Sequence, residues 1–176
     1  MGMTRGMFVT ALGRLAGIDL DSYKTGKFTD VKADAYYASY VNWVAEKGIV
    51  DGTAVTTFSP DTNIMREQMA AIMANYAKKL CYDLPVAHED VTFADNAQIS
   101  GWAAKEVKAM QQAGILAGKS GSKFDPQGTA TRAEVATVLR RFVEIVIDPQ
   151  TAQGWMQNHS GSWQYMKNGK LATSWL

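Results

Sequence analysis

The chain repeats itself, and the repeat limits its fold more than any other feature. One block runs Phe28-Thr29-Asp30-Val31, Trp43, Gly48-Ile49-Val50-Asp51-Gly52, Phe58-Ser59-Pro60 and Ile64-Met65-Arg66-Glu67-Gln68. It returns as Phe93-Ala94-Asp95, Trp102, Gly114-Ile115-Leu116-Ala117-Gly118, Phe124-Asp125-Pro126 and Ala130-Thr131-Arg132-Ala133-Glu134. Gly48 and Gly114, Gly52 and Gly118, Pro60 and Pro126, and Arg66 and Arg132 each stand 66 residues apart. The last piece of a further copy opens the chain as Thr4-Arg5-Gly6-Met7, 61 residues before Arg66. A unit of this kind buries its apolar face against its neighbours, so the chain is expected to stack like units around a shared core.

Helical periodicity fills each unit. Tyr37, Tyr40, Val41 and Val44 keep the i, i+3, i+4, i+7 spacing of one apolar face, and Trp102, Val107 and Met110 occupy that place in the later copy. Gly48 and Gly114 then stand where a left-handed helix end belongs. The Phe-x-Pro triplets fall in loops, because proline breaks a helix interior. A second helix begins near each arginine. Its face is Met69, Ile72, Met73, Tyr76 and Leu80 in one copy and Val135, Val138, Leu139, Phe142 and Val146 in the other. Phe8, Leu12 and Leu15 give the same pattern at the start of the chain. The polar connectors 17–27 and 81–92 are expected to carry short extended pieces. Thr131 and Glu134 form a capping box, Thr4 keeps only the hydroxyl, and Met65 loses it while Gln68 remains.

Composition removes several function classes. Eighteen basic residues against 17 acidic leave +1, without the basic footprint of a nucleic-acid binder. No apolar run approaches the ~20 residues that span a bilayer. One cysteine and two histidines, Cys81, His88 and His159, supply few parts for a metal site or a catalytic triad. Cys81 reads as a small buried hydrophobe and His88 as an exposed residue. With no phosphate-binding loop and no nucleophile elbow, a noncatalytic protein without metal or cofactor is expected. The opening residues lack a secretory signal and begin inside a repeat, so the register implies a first copy cut short.

The recurring arginine is the chemical clue. Arg5, Arg66 and Arg132 each occupy the first position of a helix, where the dipole disfavours a cation by ~0.3–1 kcal/mol. A solvated side chain covering apolar surface is one reading. Three occurrences at one register point to the other: free helix N–H groups and a bidentate guanidinium gripping a carboxylate or phosphate.

The Phe-x-Asp, Trp, Gly-Ile, Phe-x-Pro and Thr-Arg-Ala-Glu series resembles the S-layer homology (SLH) domain. The copies divide as a remnant at 3–16, a second repeat at 28–80 and a third at 93–147. The resemblance implies a mainly α fold of tandem helix-loop-helix repeats in a pseudo-threefold bundle. It further implies a cell-surface anchor that binds secondary cell-wall polysaccharide, commonly pyruvylated, through grooves between copies, with an oligomer as one possibility. The motif arginine carries onto Arg5, Arg66 and Arg132, and the remaining family positions onto Asp30, Asp95, Trp43 and Trp102. For the tryptophans a core role competes with a sugar platform; for the aspartates turn capping competes with binding. Met65 and Gly6-Met7 depart from the motif, so at least one groove is expected to be altered.

Residues 154–176 change character. Gly154-Trp155, Trp163-Gln164-Tyr165 and Asn168-Gly169 through Trp175 read as a small β-hairpin with an Asn-Gly turn. The segment resembles one cell-wall-binding repeat of choline- and glucan-binding proteins. That resemblance implies choline or glycan contact through Trp163, Tyr165 and Trp175, against a packing role. It supports a competing reading of the chain as a choline- or glucan-binding module; a structural fragment with no ligand is the third.

Overall fold

A computed structural model describes residues 1–148 throughout, and the backbone alone of residues 154–157, 163–167 and 170–171. Trp175 lies outside the described residues, as do the side chains of Trp163 and Tyr165. The backbone of 154–157 pairs antiparallel with 163–167, with Trp155 opposite Tyr165, and 163–167 pairs with 170–171.

The fold is mainly helical, with helices α1 (Arg5–Ala16), α2 (Ala38–Glu46), α3 (Arg66–Lys79), α4 (Ala104–Gln112) and α5 (Arg132–Phe142). α5 runs on into a π turn, Val143–Ile147. The first connector holds a short 3-10 turn, Leu20–Tyr23, where an extended piece was expected, and a further 3-10 turn, Asn96–Gln98, follows the second connector. Asp19 explains the first of these: its carboxylate accepts from the Asp21 amide and the Ser22 hydroxyl, which winds the chain locally.

Helices pair across repeat boundaries. α1 packs on α2 and α3 on α4, so the second helix of one copy meets the first helix of the next. The core between them includes Phe8, Leu12, Val41, Trp43, Val44, Met69, Met73, Tyr76, Val107, Met110, Val138 and Phe142. Tyr76 meets Phe142 edge-on at 5.6 Å and Trp43 at 6.2 Å. Leu15 departs from the expected face and is exposed, Val9 being buried beside Phe8 instead.

Helix ends follow their residues. Gly48 and Gly114 adopt φ of 63° and 76°, where a Cβ would be strained, and turn the chain back toward the core. The Ile49 amide then donates to Val44 at 2.8 Å, and the Ile115 amide to Met110 at 3.1 Å. At the end of α3 the left-handed residue is Cys81, with φ 59°. That conformation leaves Cys81 exposed rather than buried. His88 is half-buried, its ring lying over Gly114.

The three segments that precede α1, α3 and α5 meet in a closed ring. The Met3 amide donates to Ala130 at 3.0 Å, the Ala130 amide to Ile64 at 2.9 Å, and the Ile64 amide back to Met3 at 2.9 Å. These residues share one register, so the ring is the pseudo-threefold axis of the bundle.

Each complete repeat also ties its opening motif to its Phe-x-Pro loop with an aspartate. Asp30 accepts from the Phe58 and Ser59 amides at 2.9 and 2.7 Å, and Asp95 from Phe124 and Asp125 at 2.7 and 2.8 Å. The clamp holds Ser59 and Asp125 at φ of 57° and 58°, a left-handed conformation unusual for these residues. It also seats Phe28 on Phe58 and Phe93 on Phe124, with ring centroids 5.5 and 5.3 Å apart. Burial alone would raise the Asp95 carboxyl, but the two backbone N–H donors outweigh it and hold the group below the usual carboxylate range.

Two outcomes follow from these ties. Met65 caps α3 without a side-chain hydrogen bond, whereas Thr4 and Thr131 accept from the amides three residues on. Met65→Thr is therefore expected to raise stability by about 0.5–2 kcal/mol in denaturant titration, and no gain would count against this cap. Asp95→Ala is expected to cost about 2–4 kcal/mol by loss of two charge-assisted bonds. Because the Asp95 pKa is depressed on folding, its contribution is complete above the unfolded value of about 4 and is lost as pH falls through the folded value. The variant should accordingly show a shallower acid limb of stability.

Candidate functional site

The motif arginines lie in the seams between repeats, and their surroundings differ from the expectation of free helix termini. At α1 the Arg5 amide donates to Thr62 at 2.9 Å and the Gly6 amide to Pro60 at 2.8 Å. At α3 the Arg66 amide donates to Gly128 at 3.0 Å and the Glu67 amide to Pro126 at 2.9 Å. These N–H groups are spent on the loop of the following repeat and are not available to an anion. What remains for recognition is the guanidinium.

Arg5 and Arg66 are each only 3% exposed. Both turn inward and donate from Nε to a carbonyl of the next Phe-x-Pro loop, Arg5 to Phe58 at 2.8 Å and Arg66 to Phe124 at 2.7 Å. Both lie over the ring of that same phenylalanine, at 4.7 and 5.0 Å from its centroid. The position that looked unfavourable for a cation at a helix start is explained by this docking. The stem crosses the seam and the guanidinium sits between an aromatic face and a carbonyl.

Beyond that shared core the two seams diverge. Arg66 also donates from Nη1 to Glu134 at 2.8 Å and from Nη2 to the Ala117 carbonyl at 3.0 Å. Glu134 in turn closes the capping box of α5, accepting from the Thr131 amide at 2.8 Å. Burial would raise the Glu134 carboxyl, yet the Thr131 donors and the nearby Arg66 and Lys119 charges hold it below its ordinary range. Arg5 makes a single guanidinium hydrogen bond among the described residues, and its Nη2 is buried without a partner. Arg132 is the exception: it is exposed and reaches the Met7 sulfur at 3.5 Å.

The other candidates separate in the same way. Trp43, 2% exposed, belongs to the core and cannot offer a sugar platform. Trp102, 58% exposed, can. Pairing Trp43 with Trp102 was a misalignment, because 66 residues before Trp102 stands Tyr36, which is also 58% exposed. The residue that packs inward at this register is the next one, Tyr37 or Ala103. Trp102 follows Ser100, whose amide and hydroxyl are held by Glu67 at 2.9 and 3.0 Å. Tyr36 meets the Tyr37 ring edge-on at 5.0 Å, and Tyr37 packs against Gly6. Each exposed aromatic thus lies within two residues of one, Tyr37 or Ser100, that contacts the residue following a seam arginine. The constant spacing of 66, applied strictly, would have found Tyr36.

Asp30 and Asp95 have both carboxylate oxygens engaged by loop amides, so they shape the seam rather than present themselves to it. No cluster of three or more metal-ligating side chains occurs among the described residues. No helix of the described residues is long and apolar enough to cross a membrane.

Comparison with known proteins agrees with this architecture. The S-layer homology domain profile matches residues 27–70 and 92–136, the two complete repeats. The amylopullulanase of Thermoanaerobacterium thermosulfurigenes is 32% identical over 142 residues, which is 81% of this chain and 8% of that protein. Exoglucanase XynX of Acetivibrio thermocellus is 29% identical over 147 residues, 81% of this chain and 13% of that one. S-layer protein EA1 of Bacillus anthracis is 32% identical over 127 residues, 71% of this chain and 14% of that one. The chain thus spans only 8–14% of the length of these relatives. With two profile matches, conserved seam geometry and a pseudo-threefold ring, the chain belongs to the S-layer homology domain family.

Proposed function

We propose that this chain is a noncatalytic anchor that holds a surface protein to an anionic, pyruvylated secondary cell-wall polysaccharide along the seams between its repeats. SLH domains are cell-wall anchoring modules in S-layer proteins and in surface enzymes. The carbohydrate-acting relatives share with this chain only a small fraction of their length, so their printed activities belong to the rest of those proteins. The cell surface is the location that goes with this role.

The observation that supports this reading is a recurrence at one register. Arg5 and Arg66 each cross a seam. Tyr36 and Trp102, exposed and 66 residues apart, each lie within two residues of a side chain or turn that contacts the position after one of those arginines. A carboxylate on a sugar ketal is the ligand that uses both parts. The guanidinium takes the charge through a charge-assisted bond, and the ring takes an apolar sugar face. Arg5 and Arg66 are the first residues of α1 and α3, which favours a small ordering cost on binding.

Cosedimentation of the chain with purified cell-wall sacculi tests the proposal. Binding is expected to fall by about tenfold or more when the pyruvyl ketals are removed by mild acid, the scale of one charge-assisted hydrogen bond. The double variant Tyr36→Ala, Trp102→Ala, altered only at exposed positions, should weaken binding in the same direction. Retention unchanged by both treatments would refute the role given to the seams.

A further inference from the structure

The two seams share a register but not a charge balance. In the Arg66 seam the guanidinium meets three acceptors: the Phe124 carbonyl, the Ala117 carbonyl and the Glu134 carboxylate. The register places Gln68 in the Arg5 seam where Glu134 stands in the other, both being the third residue of the motif helix. Gln68 is neutral, and its Oε1 already accepts from the Met65 amide at 3.2 Å. Ala117 corresponds to Asp51 by the spacing of 66, and no bond from Arg5 to the Asp51 carbonyl forms. Asp30 is the nearest acidic influence, but both its oxygens are taken by loop amides.

Among the described residues Arg5 is therefore a buried cation without a contacting carboxylate, and its Nη2 has no acceptor. Burial lowers its pKa, and the charge of Asp30 only partly offsets that effect. An unmatched charged donor at such a site costs more than a neutral one, and an oxyanion recovers that cost on binding.

We infer that the seams are functionally unequal: the Arg5 seam receives the carboxylate of the wall glycan, while the Arg66 seam is closed by Glu134, which supplies an internal carboxylate in the ligand's place. The inference rests on the anchoring role proposed above and adds which seam performs it. A single side chain, glutamine or glutamate at the third position of the following helix, decides whether a seam is open to a ligand. Each alternative has a precedent in this chain, since α3 starts with glutamine there and α5 with glutamate.

The reciprocal exchange provides the test. Arginine Nε–H resonances are followed by NMR during titration with a methyl hexopyranoside carrying a 4,6-O-pyruvyl ketal, for the wild type, Gln68→Glu and Glu134→Gln. In the wild type the Arg5 resonance should shift and saturate at one ligand per chain while Arg66 stays still. Gln68→Glu should weaken that binding by about tenfold or more. Glu134→Gln should add a second site reported by Arg66. Thermal melting of each variant confirms that the bundle is intact. Equal response of Arg5 and Arg66 in the wild type, or undiminished affinity in Gln68→Glu, would overturn the inference. A chain that binds sacculi while its Arg5 resonance stays fixed would also overturn it, with the anchoring role left standing on other residues. A chain that binds neither glycoside nor sacculi would remove both.

Discussion

The ring of three backbone hydrogen bonds among Met3, Ile64 and Ala130 is the constraint from which the remaining geometry follows. Each segment donates to one neighbour and accepts from the other, so the three helix starts are fixed in angle and height around one axis. Helix starts normally leave four amides to be satisfied from outside. Here the first two at α1 and α3 are directed into the loop of the adjoining repeat, which welds each helix to the unit that follows it. A repeat that cannot bury its own apolar face acquires its partner through that weld.

The arginine belongs to the same construction. A short residue at the first helical position would leave a gap between the helix and the Phe-x-Pro loop. Arginine crosses it, sets its guanidinium on the phenylalanine ring and ties the loop carbonyl with Nε. The aspartate clamp presents that carbonyl by holding the next residue in a left-handed turn. On the proposed function, structure and recognition use different parts of one side chain. Nε and the aliphatic stem build the seam, and the terminal nitrogens are left either to an internal acceptor or to a ligand. On that proposal, the same motif serves as a structural tie in one seam and as a receptor in the next.

Much of the architecture was legible from periodicity. Helix faces, arginine-headed helix starts, glycine-terminated helix ends and the capping box at Thr131 all depend on residues close in sequence, and local rules describe them well. The errors arise where the outcome depends on more than a local periodic pattern: on distant acceptors, on register between copies or on a turn. The amides at Arg5 and Arg66 looked free because their acceptors lie about sixty residues away. Trp43 looked equivalent to Trp102 because aromatic identity was matched in preference to register, which hid Tyr36. Cys81 looked buried because it follows an apolar face, yet the left-handed turn at that point carries it outward. The inequality of the seams was written in the sequence as Gln68 against Glu134. It acquires meaning only once the fold places Glu134 against Arg66 and leaves Arg5 without a carboxylate among the described residues.

Native-state amide hydrogen exchange at Met3, Ile64 and Ala130 tests the central claim most directly, because exchange reports the free energy needed to open each bond. If the ring closes the bundle, the three amides exchange together, with the protection of global unfolding shared by the core of α3. Contradiction would come from a Met3 amide that exchanges like a frayed chain end while Ile64 and Ala130 stay protected. That result would leave the first helix outside the weld and the Arg5 seam without its frame.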